Sequence, residues 1–260
     1  MLSPLRCFAS PLGCFASPLV CFGHPTGRDA HGAYLILDET LSFGSLGATG
    51  RGATEHCGLK PADVDVLVGS LEHSLGAVGG FCTAARRELV DHQRLSASGY
   101  VFSASLPAFA TAAALEGVRL LREEGPRRVR ALAAAAAAMH AAVAAALAPL
   151  PQLAVSGEPA SPLVHVALTD GAAARLGPER AERLLARAAA AATAAGVGVS
   201  LMRSSGLAHV QRPLPPSLRL VAHAQLELAS LPEAVAALAS ALEGELRRGE
   251  RDVDAARAGV

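Results

Sequence analysis

Three short apolar runs limit what this chain can fold into. Residues 33–37 (AYLIL), 64–69 (VDVLVG) and 79–83 (GGFCT) are each too short for a stable helix and are separated by polar or glycine-rich segments. Short apolar runs bounded by such breakers read as buried strands of a largely parallel sheet. The first run ends in Asp38, as expected where a buried strand delivers a functional carboxylate at its C-terminal end. The glycine-rich stretch GSLGATGRG (44–52) follows. Its glycines permit positive φ and close backbone approach, yet no strand–GxGxxG–helix unit surrounds it, so it is a weak signal for a phosphate cradle. Asp38 and Glu39 are adjacent, and on a strand they face opposite ways, so they do not form an acid–base pair.

The rest of the chain alternates. Residues 84–95 are helical in tendency, with Arg86, Arg87, Asp91 and Arg94 on the wet side, and 100–103 read as a fourth strand. Pro107 opens a helix that runs to about Glu124, and Gly125-Pro126 reads as a break. An alanine-rich helix over 127–148 ends at Pro149 and Pro151; its alanines and His140 favour a soluble helix over a membrane span. Strands are expected at 153–157, 163–168, 197–202 and 218–223, with a turn at 212–217. Pro178 opens a helix closed by Gly196, and Pro232 opens a last one that Gly249 stops. His165 and His223 sit on apolar strands and read as core or edge residues. The expected organisation is a low-complexity, disordered repeat over 1–30, the C-terminal part of a large domain over 31–125, a small C-terminal domain over 126–249 and a frayed tail over 250–260. The fold class is α/β.

Composition excludes several functions. The formal net charge is +0 and aromatics make up 3% of the chain, so neither a nucleic-acid patch nor a base-stacking platform is implied. Apolar residues make up 51%, enough for a sizeable core. Cys7, Cys14, Cys21, Cys57 and Cys82 are odd in number and lack zinc spacing, which reads as free thiols in a reducing compartment. The first three lie in a period-seven repeat, CFASPLG–CFASPLV–CFGHPTG (7–27), whose prolines exclude a continuous helix and a coiled coil. Neither HExxH nor GxSxG occurs.

Four blocks carry a resemblance: LDETLSFGSLGATGRGATEH (37–56), GSLEHSLGAVGGF (69–81), DHQRLS (91–96) and FSASLP (102–107). Together they resemble the α-oxoamine synthases, pyridoxal-phosphate enzymes that condense an amino acid with an acyl-CoA. Within that family they are most similar to the branch of the non-catalytic long-chain base subunit 1 of serine palmitoyltransferase. The resemblance spans about Gly32 to Leu242 and implies the C-terminal portion of a type I pyridoxal-phosphate transferase fold, as a fragment or truncated form. By that resemblance, the first half and the N-terminal membrane helix of such a subunit are expected to be missing from this sequence.

The resemblance also shows what is missing. Active members have a lysine where His73 stands, and a Schiff base to the cofactor needs a primary amine that imidazole cannot supply. Lys60 is the single lysine of the chain, and it lies upstream of 64–69, far from the family position. Active members have a histidine where Leu41 stands. Asp38 keeps the position that pairs with the pyridine nitrogen. Asp38 and His73 therefore mark a vestigial site. The resemblance further implies that Ser103 or Ser105 reaches the cofactor phosphate of a partner chain, with strand-end turn chemistry as the alternative. It places Arg51, Glu55 and His56 at a subunit interface, as the polar residues of that loop, with a satisfied loop residue as the alternative for each. Arg219 is the nearest candidate for a substrate-carboxylate ligand, with a solvated or interface role as the alternative.

The function implied is support in trans. A catalytic long-chain base subunit 2 would hold pyridoxal phosphate covalently and condense serine with a long-chain acyl-CoA to 3-ketosphinganine, at the cytosolic face of the endoplasmic reticulum. Two alternatives stay open: an active pyridoxal-phosphate acyltransferase using Lys60, and a fragment without an independent function.

Overall fold

The computed structural model describes residues 34–203 and 215–258; the CFASPL repeat and the first half of the turn over 212–217 lie outside them. The chain forms two compact units, and the boundary after Leu132 falls inside its longest helix.

The first unit carries a three-stranded sheet in the order β1-β2-β3: Ile36–Asp38, Val66–Ser70 and Gly80–Ala84. β1 and β2 are parallel, with Asp38 beside Val68, whereas β3 returns antiparallel. The parallel pairing sends the loops after β1 and β2 out of the same end of the sheet. Gly69 is buried because Phe81, its cross-strand partner, lies over it: a Cβ there would meet the Phe81 ring at 2.4 Å. Phe43 then packs edge-on against Phe81, with ring centroids 5.3 Å apart. After β1 comes a short helix α1 (Ala53–His56), and after β3 come α2 (Arg87–Ser96) and α3 (Ser98–Val101).

Three expectations fail here. Residues 100–103 are not a strand: Tyr100 and Val101 end α3, and Ser103 follows in a turn. Aromatic and β-branched residues favour strands only where a neighbouring strand or core receives them, and Tyr100, Val101 and Phe102 are exposed. Gly125-Pro126 does not end a helix either. One helix, α4, runs from Ala108 to Leu147 with Pro126 inside it. Gly125 is instead a close-packing position, since a Cβ there would come 2.6 Å from the Thr49 carbonyl oxygen. Glu124 bridges the proline through ion pairs to Arg127 at 2.8 Å and Arg128 at 2.9 Å. By length and composition α4 is long and apolar enough to cross a membrane. Its stripe Ala135, Ala136, Met139, Val143 and Leu147 is buried at helical spacing, as in a core helix.

The second unit holds a four-stranded antiparallel sheet in the order β4-β5-β7-β6: Leu153–Ser156, Leu163–Leu168, Ser217–Val221 and Ser200–Met202. The part of α4 after Leu132 and helices α5 (Asp170–Leu176), α6 (Pro178–Ala194) and α7 (Leu231–Ala258) complete it. Val164 and Val166 pair with Leu220 and Leu218 on one face of the sheet, and all four are buried. Leu184, Leu185, Ala188, Leu238, Leu242 and Leu246 supply the helical part of the core. The third failed expectation is Gly249, which does not stop α7. It lies against α5 and α6, where a Cβ would sit 3.2 Å from Leu184 Cδ1 and 3.4 Å from Leu176 Cδ2, and the helix continues to Ala258 where a frayed tail was expected.

Candidate functional site

Two of the four blocks that carry the resemblance, 37–56 and 69–81, come together at one end of the first sheet. Asp38 ends β1, and its carboxylate accepts the Thr40 N–H at 2.8 Å while remaining exposed. His73 lies on the loop after β2, which closes on itself through Leu71 N–H to the Gly79 carbonyl and Ala77 N–H to the Leu71 carbonyl, both 2.9 Å. That loop touches the glycine-rich one directly: a Cβ on Gly44, whose φ is +80°, would meet Ser74 Cβ at 2.4 Å. Glycine is required here by both conformation and space. His73 is exposed and Leu41 is half-buried.

Two glutamates shape the loop over 44–52. Glu39 is 1% exposed. Its carboxylate accepts the N–H groups of Ala53 at 2.7 Å and Thr54 at 2.9 Å, at the start of α1, and the Ser42 hydroxyl. A carboxylate in that place satisfies donors that a helix start leaves unpaired. Glu55 accepts the Thr49 N–H at 3.0 Å, the Thr49 hydroxyl at 2.8 Å and the Arg51 N–H at 3.1 Å. Burial pushes the Glu55 carboxyl up, but these hydrogen bonds and the Arg51 charge outweigh it and hold it below the ordinary range. Burial, then the charge of Glu39, pushes the Cys57 thiol up. Glu39 is the residue that sequence reasoning missed. Its signal would have been Gly52, where a Cβ would run into the Glu39 carboxylate at 2.0 Å, and that contact spans too much sequence to read locally.

The other candidates are spread out. Arg51 and His56 are exposed, whereas Glu55 is turned into its own loop. Ser103 donates to the Tyr100 carbonyl at 3.3 Å and is exposed, and Ser105 is exposed beyond it. Arg219 belongs to the second unit, within a polar row across four strands: Ser156 pairs with His165, His165 with Arg219, and Arg219 with Ser200. The ring Nδ1 of His165 lies 3.2 Å from the Ser217 hydroxyl. Burial, then the charge of Arg219, lowers the His165 pKa. The Ser156 hydroxyl and Arg219 Nε are buried without a protein partner.

A covalently held pyridoxal phosphate does not fit this chain. Lys60 offers the one primary amine besides the N-terminus. It is exposed, and its backbone N–H is tied to the Asp63 carboxylate at 2.9 Å, ahead of the 3₁₀ turn Pro61–Asp63. Asp38 retains a carboxylate suited to a pyridinium, but the flanking Leu41 has no polar atom. Among the described residues no group of His, Cys, Asp and Glu could hold a metal ion.

The chain is 42% identical over 134 residues to long chain base biosynthesis protein 1c of Oryza sativa subsp. japonica, covering 52% of this chain and 27% of that protein. It is 40% identical over 136 residues to serine palmitoyltransferase 1 of Dictyostelium discoideum, covering 52% of this chain and 28% of that protein. Among solved structures, serine palmitoyltransferase from S. paucimobilis superposes with a TM-score of 0.70 at 24% identity, over 88% of this chain and 51% of that chain, a likeness of fold. The matches thus span about a quarter of these curated relatives and half of the solved chain. The resemblance seen in the four sequence blocks is borne out, as is the α/β fold of the pyridoxal-phosphate type. Residues 28–238 match the aminotransferase class I and II family model, and the chain belongs to that family.

Proposed function

We propose that this chain acts as the non-catalytic subunit of a serine palmitoyltransferase. It would pair with a lysine-bearing catalytic subunit, the long-chain base subunit 2, which holds pyridoxal phosphate. The observation that carries the reading is His73: where active relatives place the cofactor lysine, this chain has an exposed imidazole at the same sheet end as Asp38. The cofactor, when bound in the partner, supplies the electron sink for condensing serine with a long-chain acyl-CoA to 3-ketosphinganine.

This chain's own residues would close one wall of the partner's site. Ser103 and Ser105 offer exposed hydroxyls suited to donating to a phosphate, and Arg51 and His56, exposed on the loop held by Glu39 and Glu55, would face the partner. An apolar surface supports a partner. Phe102 is 88% and Phe109 77% exposed, and Leu95, Tyr100, Leu106 and Leu115 are exposed in the same stretch. Bare apolar surface of this kind marks an interaction site in a soluble protein. Arg219 is retained as a candidate carboxylate ligand because its Nε is buried and unpartnered. Attachment to the cytosolic face of the endoplasmic reticulum membrane, through the complex, belongs to the same proposal.

Co-expression with the lysine-bearing subunit, pull-down and an absorbance scan near ~420 nm, where the lysine-bound cofactor absorbs, test this. A retained partner with the band present in the complex alone is the expected result. A band from this chain alone with pyridoxal phosphate would overturn it and point to Lys60.

A further inference from the structure

The second unit contains a cleft of ≈ 250 Å³ between α5, α6 and α7. Three arginines of α6 line it, Arg180, Arg183 and Arg187, at spacings that put them on one helix face. Leu176 and Leu184 make its apolar lining, and among the described residues Asp252 is the one carboxylate that lines it. The described lining therefore has three arginines against one carboxylate, although the formal net charge of the whole chain is +0.

Two of these arginines are weakly engaged and the third is held firmly. In α4, Arg119 is clasped by both Glu116 and Glu123. Arg180 has no ion-pair partner among the described residues. Arg183 has Glu179 at 3.4 Å, a carboxylate with a side chain 85% exposed, so the pair contributes little. Arg187 donates through Nε to Glu245 at 2.6 Å. Glu245 is buried and also accepts from Arg248 at 2.9 Å, so it fixes the Arg187 guanidinium in place. The terminal nitrogens of Arg187 have no protein partner among the described residues. All three arginines are exposed, and guanidinium forks on one helix face suit bidentate hydrogen bonds to phosphate oxygens.

We propose that this cleft binds a phosphate monoester. The excess of arginine over carboxylate in the described lining suits a phosphate dianion, the guanidiniums of Arg180, Arg183 and Arg187 suit its terminal oxygens, and Leu176 lies beside the group esterified to it. The phosphate could come from a soluble metabolite or from a lipid head group, and the test separates the two. The full chain is titrated calorimetrically with phenyl phosphate and sedimented with phosphatidylcholine vesicles with or without phosphatidic acid. The doubly substituted variant Arg180→Gln, Arg183→Gln is compared with a charge-matched control, Arg122→Gln, Arg130→Gln, in exposed positions of α4. Circular dichroism verifies that both fold. Saturable binding that weakens about tenfold or more in the cleft variant and persists in the control is expected, as two lost charge-assisted contacts require. Binding of phenyl phosphate alone assigns a soluble ligand, and binding of phosphatidic acid vesicles assigns a lipid. Absence of saturable binding to either probe, or equal weakening in both variants, overturns the proposal.

Discussion

Glu39 accepts the backbone N–H of Ala53 at 2.7 Å, and so ties the end of the first strand to the start of the helix after the glycine-rich loop. Its neighbour Asp38 faces outward and meets only the turn at Thr40. Of two adjacent carboxylates, one organises the loop and the other faces solvent at the end of the strand. Glu39→Ala is expected to strip the buried donors of Ala53, Thr54 and Ser42 of their acceptor. The expected loss is about 3 kcal/mol of stability, since each unsatisfied buried donor costs about 1–3 kcal/mol. Asp38→Ala removes an exposed turn bond and should cost under about 1 kcal/mol. Urea unfolding of the two variants checks the contrast, and equal losses would refute the assignment.

Glu55 gives the loop an acid limit. Its folded-state pKa lies below the ordinary value of 4.5. A carboxyl depressed by folding contributes stability that is fully present above its unfolded pKa and is lost as pH falls through the folded one. The contribution therefore stands at neutral pH and fades below about pH 4.5. Glu55→Gln should flatten the stability–pH curve in that acid window and leave its shape above pH 5 or so unchanged. Thermal melts across the acid range measure it, and a variant that retains the wild-type acid slope would count against the loop geometry.

Much of this was legible in the sequence, and the misses share a cause. The strand alternation that buries Val164 and Val166 while leaving His165 on the opposite face is local, and so is the opposition of Asp38 and Glu39. Both could be read from neighbours one residue apart. Gly125-Pro126 and Gly249 look like stops by the same local grammar. What overrides that grammar is distant in sequence: the Thr49 carbonyl behind Gly125, and Leu184 behind Gly249. The Glu39 cap was hidden for the same reason, being a contact across fourteen residues. Residues 100–103 misled in the opposite sense, because strand-forming side chains there find no strand to pair with.

Gly125 and Gly244 make a controlled comparison within two helices. Alanine is the better helix former by about 1 kcal/mol. At Gly244 nothing lies within 4 Å of the added Cβ, so Gly244→Ala should stabilise by about 0.5–1 kcal/mol. At Gly125 the Cβ meets backbone, which cannot swing aside. Gly125→Ala should destabilise by about 1–3 kcal/mol despite its propensity gain. Melting temperatures should move in opposite directions, and a stabilised Gly125→Ala would mean that the helix and the Thr49 loop are not in contact.

The polar row in the second unit is tested through His165. Burial, then the Arg219 charge, lowers its pKa. A histidine depressed in this way contributes stability that is present above its unfolded pKa near 6.5 and is lost as pH falls below it, because the unfolded chain then takes up the proton first. Arg219→Gln removes the smaller cause and keeps the larger. The His165 pKa, followed by NMR titration of the ring, should rise but stay below 6.5. An unchanged value would separate the two side chains that the strand register pairs.

Ser103 and Ser105 decide whether support in trans is chemical or only structural. Ser103 makes one exposed bond to the Tyr100 carbonyl, so Ser103→Ala and Ser105→Ala should each leave stability within about 0.5 kcal/mol of the wild type. A hydroxyl that donates to a phosphate in the partner has more at stake, since bonds to charged groups contribute about 1.5–3 kcal/mol. Cofactor affinity of the co-expressed complex, titrated by its absorbance band, should therefore weaken roughly tenfold or more for one of the two variants, with partner retention unchanged. Loss of partner binding instead would make this stretch an interface element. Wild-type affinity in both variants would remove the serines from the site and leave the exposed Phe102 and Phe109 as the contribution of this segment.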